Sequence, residues 1–264
     1  MTKPKLICSD IDGTLIPYGE SVLPGELFPL IRRLGEAGIL FCPASGRQYH
    51  SLRRLFAPVC DEVCFLCENG AVIFGPGTEE TAPVLSKTVI PRADALALAR
   101  DMMAVPGVDT CISGLNTTYL PHASAAMMAD MENRLGNRVK AIRDPEEITE
   151  DIIKISVFCP VSLEPAKAAL GPRWGEQYHM AEAGPVWIDF TLADKGTGIQ
   201  GLCGALAIDP GEVWAFGDNW NDVSMLERVG TPWIMSRAAA QLRERFPRRC
   251  ENVLDELEKC LQNL

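Results

Sequence analysis

Leu6-Ile7-Cys8-Ser9 is a short apolar run that passes without a spacer into Asp10-Ile11-Asp12-Gly13-Thr14. A run of this length, bounded by a turn signal, predicts a strand buried on both faces, as in a parallel sheet. Strand alternation sends Asp10 and Asp12 to the same side at its carboxyl end, where open α/β sheets place ligands. Gly13 permits a tight turn there, and Thr14 can bond the local backbone. Carboxylates crowded together repel one another unless a cation or a shared proton relieves them. A turn with a capping aspartate would explain one of these residues. It does not explain the whole pentapeptide after a buried run.

The rest of the first third keeps the rhythm of strand and helix. Leu27, Leu30, Ile31 and Leu34 follow i, i+3, i+4, i+7, and Gly38 supplies a stop. Residues 38–42 predict a second buried strand, ending at Ala44-Ser45-Gly46. A basic helix with Leu52, Leu55 and Phe56 inward follows, then a third strand over 61–67. The last third repeats the pattern. Ile199, Leu202, Cys203 and Leu206 mark a helix, Val213–Phe216 a strand, and Val223, Leu226 and Val229 a further helix. Val253, Leu254, Leu257 and Leu261 mark a closing helix. The fold class predicted is α/β, a Rossmann-like parallel sheet with helices on both faces and right-handed crossovers. Between residues 83 and 187 the texture changes, with Pro91, Pro106, Pro121, Pro145 and Pro160 breaking up Ala/Met-rich helical stretches and strands. This predicts an inserted α+β domain over 83–187 between core segments 1–82 and 188–264.

Composition narrows the function classes. The 264 residues carry a formal net charge of −10, which argues against nucleic acid as the main partner. No apolar run approaches the ~18 residues of a membrane span, so no membrane partner is expected. The opening residues turn acidic after five positions and lack an apolar export stretch, which predicts a cytoplasmic protein. The ten cysteines fall mostly in apolar runs and read as reduced thiols rather than a disulfide framework. Cys60, Cys64 and Cys67 have no fourth partner at iron–sulfur spacing, and Cys64-x2-Cys67 has no second pair for zinc.

A second acidic cluster, Gly217-Asp218-Asn219-Trp220-Asn221-Asp222, follows another buried strand. One of its residues could cap the next helix; the others need a different explanation. Oxygen-only donors of this kind favour Mg²⁺. Ser45 offers a hydroxyl and nearby helix N–H groups to a phosphate, and Lys195 a point charge. Singly, each reads as a cap or a surface residue; together they occupy the same kind of strand-end position. A decoy competes: Gly196-Thr197-Gly198-Ile199-Gln200-Gly201 fits G-x-G-x-x-G, with Asp218 at dinucleotide spacing. Polar Ala193-Asp194-Lys195 precedes it where a buried strand should run, and a nicotinamide site leaves residues 10–14 unexplained.

DIDGT at 10–14, Ser45 in ASGR, Lys195 in DKG and GDNWND at 217–222, in that order, resemble the haloacid dehalogenase superfamily of phosphohydrolases. The insert matches the placement of a C2-type cap, and Asn69-Gly70-Ala71 is similar to a turn common in the Cof-type, sugar-phosphatase-like branch. Arg237-Ala238 departs from the Asn-Ala pair frequent in relatives. The resemblance implies an Mg²⁺-dependent phosphatase acting on a small phosphomonoester through an aspartyl-phosphate. Asp10 is then the nucleophile and Asp12 the general acid/base. Mg²⁺ lies between Asp10, Asp218 and the Asp12 main-chain carbonyl. Ser45, Lys195 and Asn221 hold the phosphate, and Asp222 supports Lys195 or a metal-bound water. A phosphotransferase or mutase would use the same intermediate, and a non-catalytic binding module would keep only the fold. The expected partner is a small phosphorylated metabolite, and the chain is expected to be a monomer or homodimer. Glu182, Trp187 and Trp174 are candidates to line the substrate cleft.

Overall fold

The apolar run forms β1 (Leu6–Ser9), buried at every position, in a computed structural model that describes residues 3–18, 20, 22–123, 125–183 and 185–264. The first amphipathic segment forms α1 (Leu27–Glu36), burying Leu27, Leu30, Ile31 and Leu34 at helical spacing. It stops at Gly38, whose φ of +74° lies where side chains are rarely tolerated. Next come β2 (Leu40–Pro43), α2 (Tyr49–Leu55), β3 (Phe65–Cys67), β4 (Val72–Phe74) and β5 (Val84–Lys87). The middle of the chain holds α3 (Arg92–Met103), β6 (Asp109–Ser113), β7 (Thr118–Pro121), α4 (Ala125–Ala129) and β8 (Val139–Ile142). It continues with β9 (Lys154–Phe158), α5 (Glu164–Trp174), β10 (Ala181–Glu182) and β11 (Trp187–Thr191). Among the Ala/Met-rich helical stretches expected between 83 and 187 is one over 123–135, of which Ser124 lies outside the described residues. The last part holds α6 (Lys195–Leu206), β12 (Val213–Gly217), α7 (Val223–Leu226), β13 (Thr231–Met235), α8 (Ala240–Arg245), β14 (Arg249–Cys250) and α9 (Val253–Gln262).

These elements fall into two compact units, one of Met1–Arg47, Leu52–Lys87 and Ala193–Leu264, the other of Gln48–Ser51 and Thr88–Leu192. β5 goes with the first because it pairs with β4, and β11 with the second because it pairs with β9. The first unit carries the expected parallel α/β core, a five-stranded sheet in the order β14-β13-β12-β1-β2. β1 sits between β12 and β2, with Ser9 opposite both Phe216 and Pro43. Apolar side chains of β1, β12 and α6, such as Leu6, Val213, Ala215, Ile199 and Leu202, form one core cluster.

The third strand differs from expectation. Only residues 65–67 of 61–67 are extended, and they meet the parallel sheet through a single bridge, Ala44 to Leu66. Asp61 is tied instead to Arg53, whose Nη2 donates to its carboxylate at 2.6 Å. After β3 the chain doubles back into an antiparallel pairing with β4, Cys67 opposite Val72. Three consecutive residues with positive φ make that reversal: Glu68 (51°), Asn69 (54°) and Gly70 (94°). A Cβ on Gly70 would stand 2.2 Å from the carbonyl oxygen of Asp194, so backbone packs on backbone there.

The second unit is a six-stranded sheet ordered β10-β11-β9-β6-β7-β8, with α3 and α5 buried against Ile112, Ile155, Val157 and Phe190. Trp174 belongs to that core rather than to a cleft: it is buried, and its Nε1 donates to Asp101 at 2.8 Å. Glu182 is paired with Lys167, and the Trp187 ring packs on Phe158 at 4.9 Å between centroids. All ten cysteines are free thiols, and among the described residues no helix is long and apolar enough to cross a membrane.

Candidate active site

Parallel register builds the site. Ser9 opposite Phe216 continues by one step through the Asp10 N–H, which donates to the Phe216 carbonyl at 2.9 Å. Asp10 therefore emerges beside Gly217, and Asp218 beside both. Ser45 emerges from the other flank, since the Ala44 N–H donates to the Ser9 carbonyl at 2.8 Å. Three of the expected site residues come from three adjacent strand ends.

Lys195 is the first residue of α6, held there by a capping box: the Thr197 N–H donates to the Asp194 carboxylate at 2.7 Å. Its side chain is fully buried, and its Nζ donates to Asp10 Oδ1 at 2.5 Å and to Asp222 Oδ1 at 2.6 Å. The second oxygen of Asp222 accepts the N–H groups of Asp218 (2.9 Å) and Asn219 (3.0 Å). Asp222 is thus committed on both oxygens, to the lysine and to the loop that carries Asp218.

Asp218 is gripped from the β1 side. Thr14 Oγ1 donates to its Oδ1 at 3.1 Å, and the Tyr18 hydroxyl donates to its Oδ2 at 2.5 Å. Gly13, at φ +96°, is the residue that allows the approach, because a Cβ there would lie 2.3 Å from Asp218 Oδ2. Burial pushes the Asp10 carboxyl well above the usual range; Lys195 opposes this, while Asp222 and Asp218 add to it. Asp218 is also raised, by burial first and then by Asp222, against the bonds from Tyr18 and Thr14. Burial would lower Lys195, but the two carboxylates outweigh it and keep the ammonium charged.

The donor set suits a hard dication. Among the described residues, Asp10, Asp218 and Asp222 place carboxylate oxygens within 4.8 Å of one another. Oxygen donors of this kind are the ones Mg²⁺ takes. With all three carboxylates ionised against one ammonium, the cluster carries a formal excess of two negative charges, which one dication would cancel. Asp222 gives its oxygens to the buried ammonium and to two fixed backbone N–H groups, whereas Asp218 accepts only from two hydroxyls, which can turn away, so Asp10 and Asp218 are the side chains better able to bind it.

Asp12 lies in the turn beyond β1. β1 ends at Ser9, and the Thr14 and Ile16 N–H groups both return to the Ile11 carbonyl, so strand alternation has lapsed by Asp12. Its carboxylate is half-exposed and takes two bonds from Arg47, Nε at 3.0 Å and Nη2 at 2.6 Å. Asn221 Nδ2 donates to Asn69 Oδ1 at 3.3 Å, which joins the last acidic loop to the left-handed turn after β3. The Asn69 N–H in turn donates to the Ser45 carbonyl at 2.9 Å. Arg47, Asn69 and Tyr18 were not singled out as site residues. Arg47 and Asn69 lay inside motifs already noted, whereas nothing local marks Tyr18.

The glycine-rich decoy has a structural explanation. Gly196, Gly198 and Gly201 lie inside α6, not in a loop after a strand. A Cβ would meet the Ser224 carbonyl at 2.4 Å from Gly196, the Gly70 Cα at 2.8 Å from Gly198, and Ser86 Oγ at 2.3 Å from Gly201. These glycines let α6 pack closely against neighbouring backbone and the Ser86 side chain, and leave no cradle for a pyrophosphate.

A parallel sheet whose carboxyl edge gathers acidic loops around one buried lysine defines an α/β enzyme core with a carboxylate cluster that could hold a cation. The chain belongs to the haloacid dehalogenase-like hydrolases, whose sequence model matches residues 7–252. It is 27% identical to the 5-amino-6-(5-phospho-D-ribitylamino)uracil phosphatase YbjI of Escherichia coli, over 98% of this chain and 97% of that protein. It is 26% identical to a phosphoglycolate phosphatase of Haloarcula marismortui, over 93% and 89%. Among solved structures, one from Eubacterium rectale superposes with a TM-score of 0.87 at 27% identity, covering 98% and 99% of the two chains. The HAD subclass IIB sugar phosphatase BT4131 has the same fold, with a TM-score of 0.75 at 20% identity, covering 96% and 95%.

Proposed function

We propose that this protein is a Mg²⁺-dependent phosphatase that hydrolyses a small phosphomonoester, a sugar phosphate or similar metabolite, through an aspartyl-phosphate. The observation that carries the reading is the cluster of Asp10, Asp218 and Asp222 about buried Lys195 at the edge of the sheet. Relatives named as phosphatases support water as the final acceptor.

Asp10 is the nucleophile, attacking phosphorus in line. Asp10, Asp218 and the Asp12 main-chain carbonyl hold Mg²⁺, which offsets the repulsion between carboxylates and phosphate when bound. Lys195, Ser45 and Asn221 hold the phosphoryl oxygens, and Asp222 keeps Lys195 aimed at Asp10. Asp12 protonates the leaving oxygen and later takes a proton from the attacking water. Arg47 fixes the direction of the Asp12 carboxylate through two parallel bonds. The inserted unit, expected over 83–187, is the C2-type cap and selects the leaving group.

Asp12→Asn tests the assignment. A sugar alkoxide needs a proton to leave, whereas p-nitrophenolate hardly does. The variant is expected to lose on the order of 10² to 10⁴ in rate on a sugar phosphate and far less in the first step with p-nitrophenyl phosphate. Because the second step still lacks its base, the aryl ester should give a burst of one equivalent and then slow turnover. Equal losses on both substrates, no burst and full rescue by excess Mg²⁺ would make Asp12 a metal ligand only. Activity of the wild-type protein that is indifferent to EDTA would refute the metal-dependent reading itself.

A further inference from the structure

Arg237 reaches the site through the turn after β1. It follows β13 by two residues, where the flanking backbone is pinned: the Ser236 N–H donates to the Cys250 carbonyl at 2.8 Å and the Ala238 N–H to Met235 at 2.9 Å. From there the side chain reaches past the end of β12 to the turn after β1, because the strand order is β13-β12-β1. Its Nε donates to the Gly13 carbonyl at 2.7 Å and its Nη2 to the Thr14 carbonyl at 2.9 Å. The N–H groups of the same two residues are used inside the turn, Gly13 to the Ile16 carbonyl (2.8 Å) and Thr14 to Ile11 (3.2 Å). One planar fork thus fixes two successive carbonyls of a turn whose donors are already engaged.

Those two residues, together with Tyr18, set Asp218. Thr14 donates to its Oδ1, and Gly13 is the surface against which its Oδ2 rests. We infer that Arg237 is a positioning residue for cation binding, holding the Gly13–Thr14 peptide so that Asp218 presents its carboxylate to the metal shared with Asp10. By bonding to carbonyls it brings order without occupying a carboxylate oxygen, unlike Lys195, which takes one oxygen of Asp10. A lysine could satisfy one carbonyl but not both in the same plane.

This inference rests on the reading of the carboxylate cluster as a Mg²⁺ site, and it is tested without turnover. Thermal unfolding of wild type, Arg237→Lys and Arg237→Gln is followed against MgCl2 concentration, since a ligand of the native state raises Tm according to its Kd. The glutamine variant should need about 10-fold or more Mg²⁺ for the same rise, as when groups that orient metal ligands are lost, with the lysine variant in between. Tm in EDTA should stay close to wild type for the lysine variant, which keeps the comparison valid if glutamine proves unstable. Mg²⁺ curves for both variants that superimpose on wild type, or a Tm lowered equally at every Mg²⁺ concentration, would overturn the positioning role while leaving the metal site intact. A wild-type Tm that ignores Mg²⁺ would overturn the metal reading and this inference with it.

Discussion

Asp10→Asn is expected to abolish turnover, by on the order of 10³-fold or more, while the protein remains folded. An amide cannot form the acyl-phosphate, so no rearrangement of metal or substrate restores the step. Stability should change by no more than about 1 kcal/mol, for a reason specific to this site. Burial and the neighbouring carboxylates already push the Asp10 carboxyl upward, so its charge is a cost to the metal-free fold rather than a support. Asparagine keeps an oxygen for Lys195 Nζ, and Asp222 still pairs with the ammonium. Steady-state rates and urea melts in EDTA measure both effects. A variant retaining a tenth of the wild-type kcat would end the nucleophile assignment.

The opposite division of effects is expected one pair away. Asp222→Ala should cost about 3–5 kcal/mol of stability, because it strips a buried ammonium of one partner and leaves two backbone N–H groups without their acceptor. Asp222 is fully buried, and so is Lys195, so water cannot take over these bonds without opening the loop. Asp222→Asn, which retains one acceptor oxygen, should lose less. Urea unfolding of the two variants against wild type reads the difference. A loss below about 1 kcal/mol for the alanine variant would mean that Asp10 alone is enough to hold the lysine.

Much of this was legible in the chain. The buried run before Asp10 announced a central strand, the spacing of Leu27, Leu30, Ile31 and Leu34 announced α1, and the run before Gly217 announced β12. Asp10, Ser45 and Asp218 could be placed at strand ends because a parallel sheet aligns its carboxyl edges. Lys195 could be placed before a helix, and the structure has it as the first residue of α6. Local pattern misled where a turn replaced a regular element. Alternation applies only as far as Ser9, so Asp10 and Asp12 both lie in the turn after β1. The third strand was drawn too long because the apolar letters before Phe65 do not reveal that Arg53 anchors Asp61.

The sequence by itself determined the parallel α/β core and the acidic loops at its edge, because burial period and turn chemistry are local properties of the chain. Only the tertiary structure decided which partners those loops meet. That Lys195 bridges Asp10 and Asp222 follows from strand order and register, which bring residues 185 apart in the chain to 2.5 Å. That Tyr18 and Thr14 grip Asp218, and that Arg237 reaches across β12 to Gly13, depends on backbone directions at three strand ends at once. That the glycines of α6 serve close packing depends on neighbours far away in sequence. Spacing along a chain specifies which groups can share an edge. Long-range packing specifies which atoms on that edge come within bonding distance.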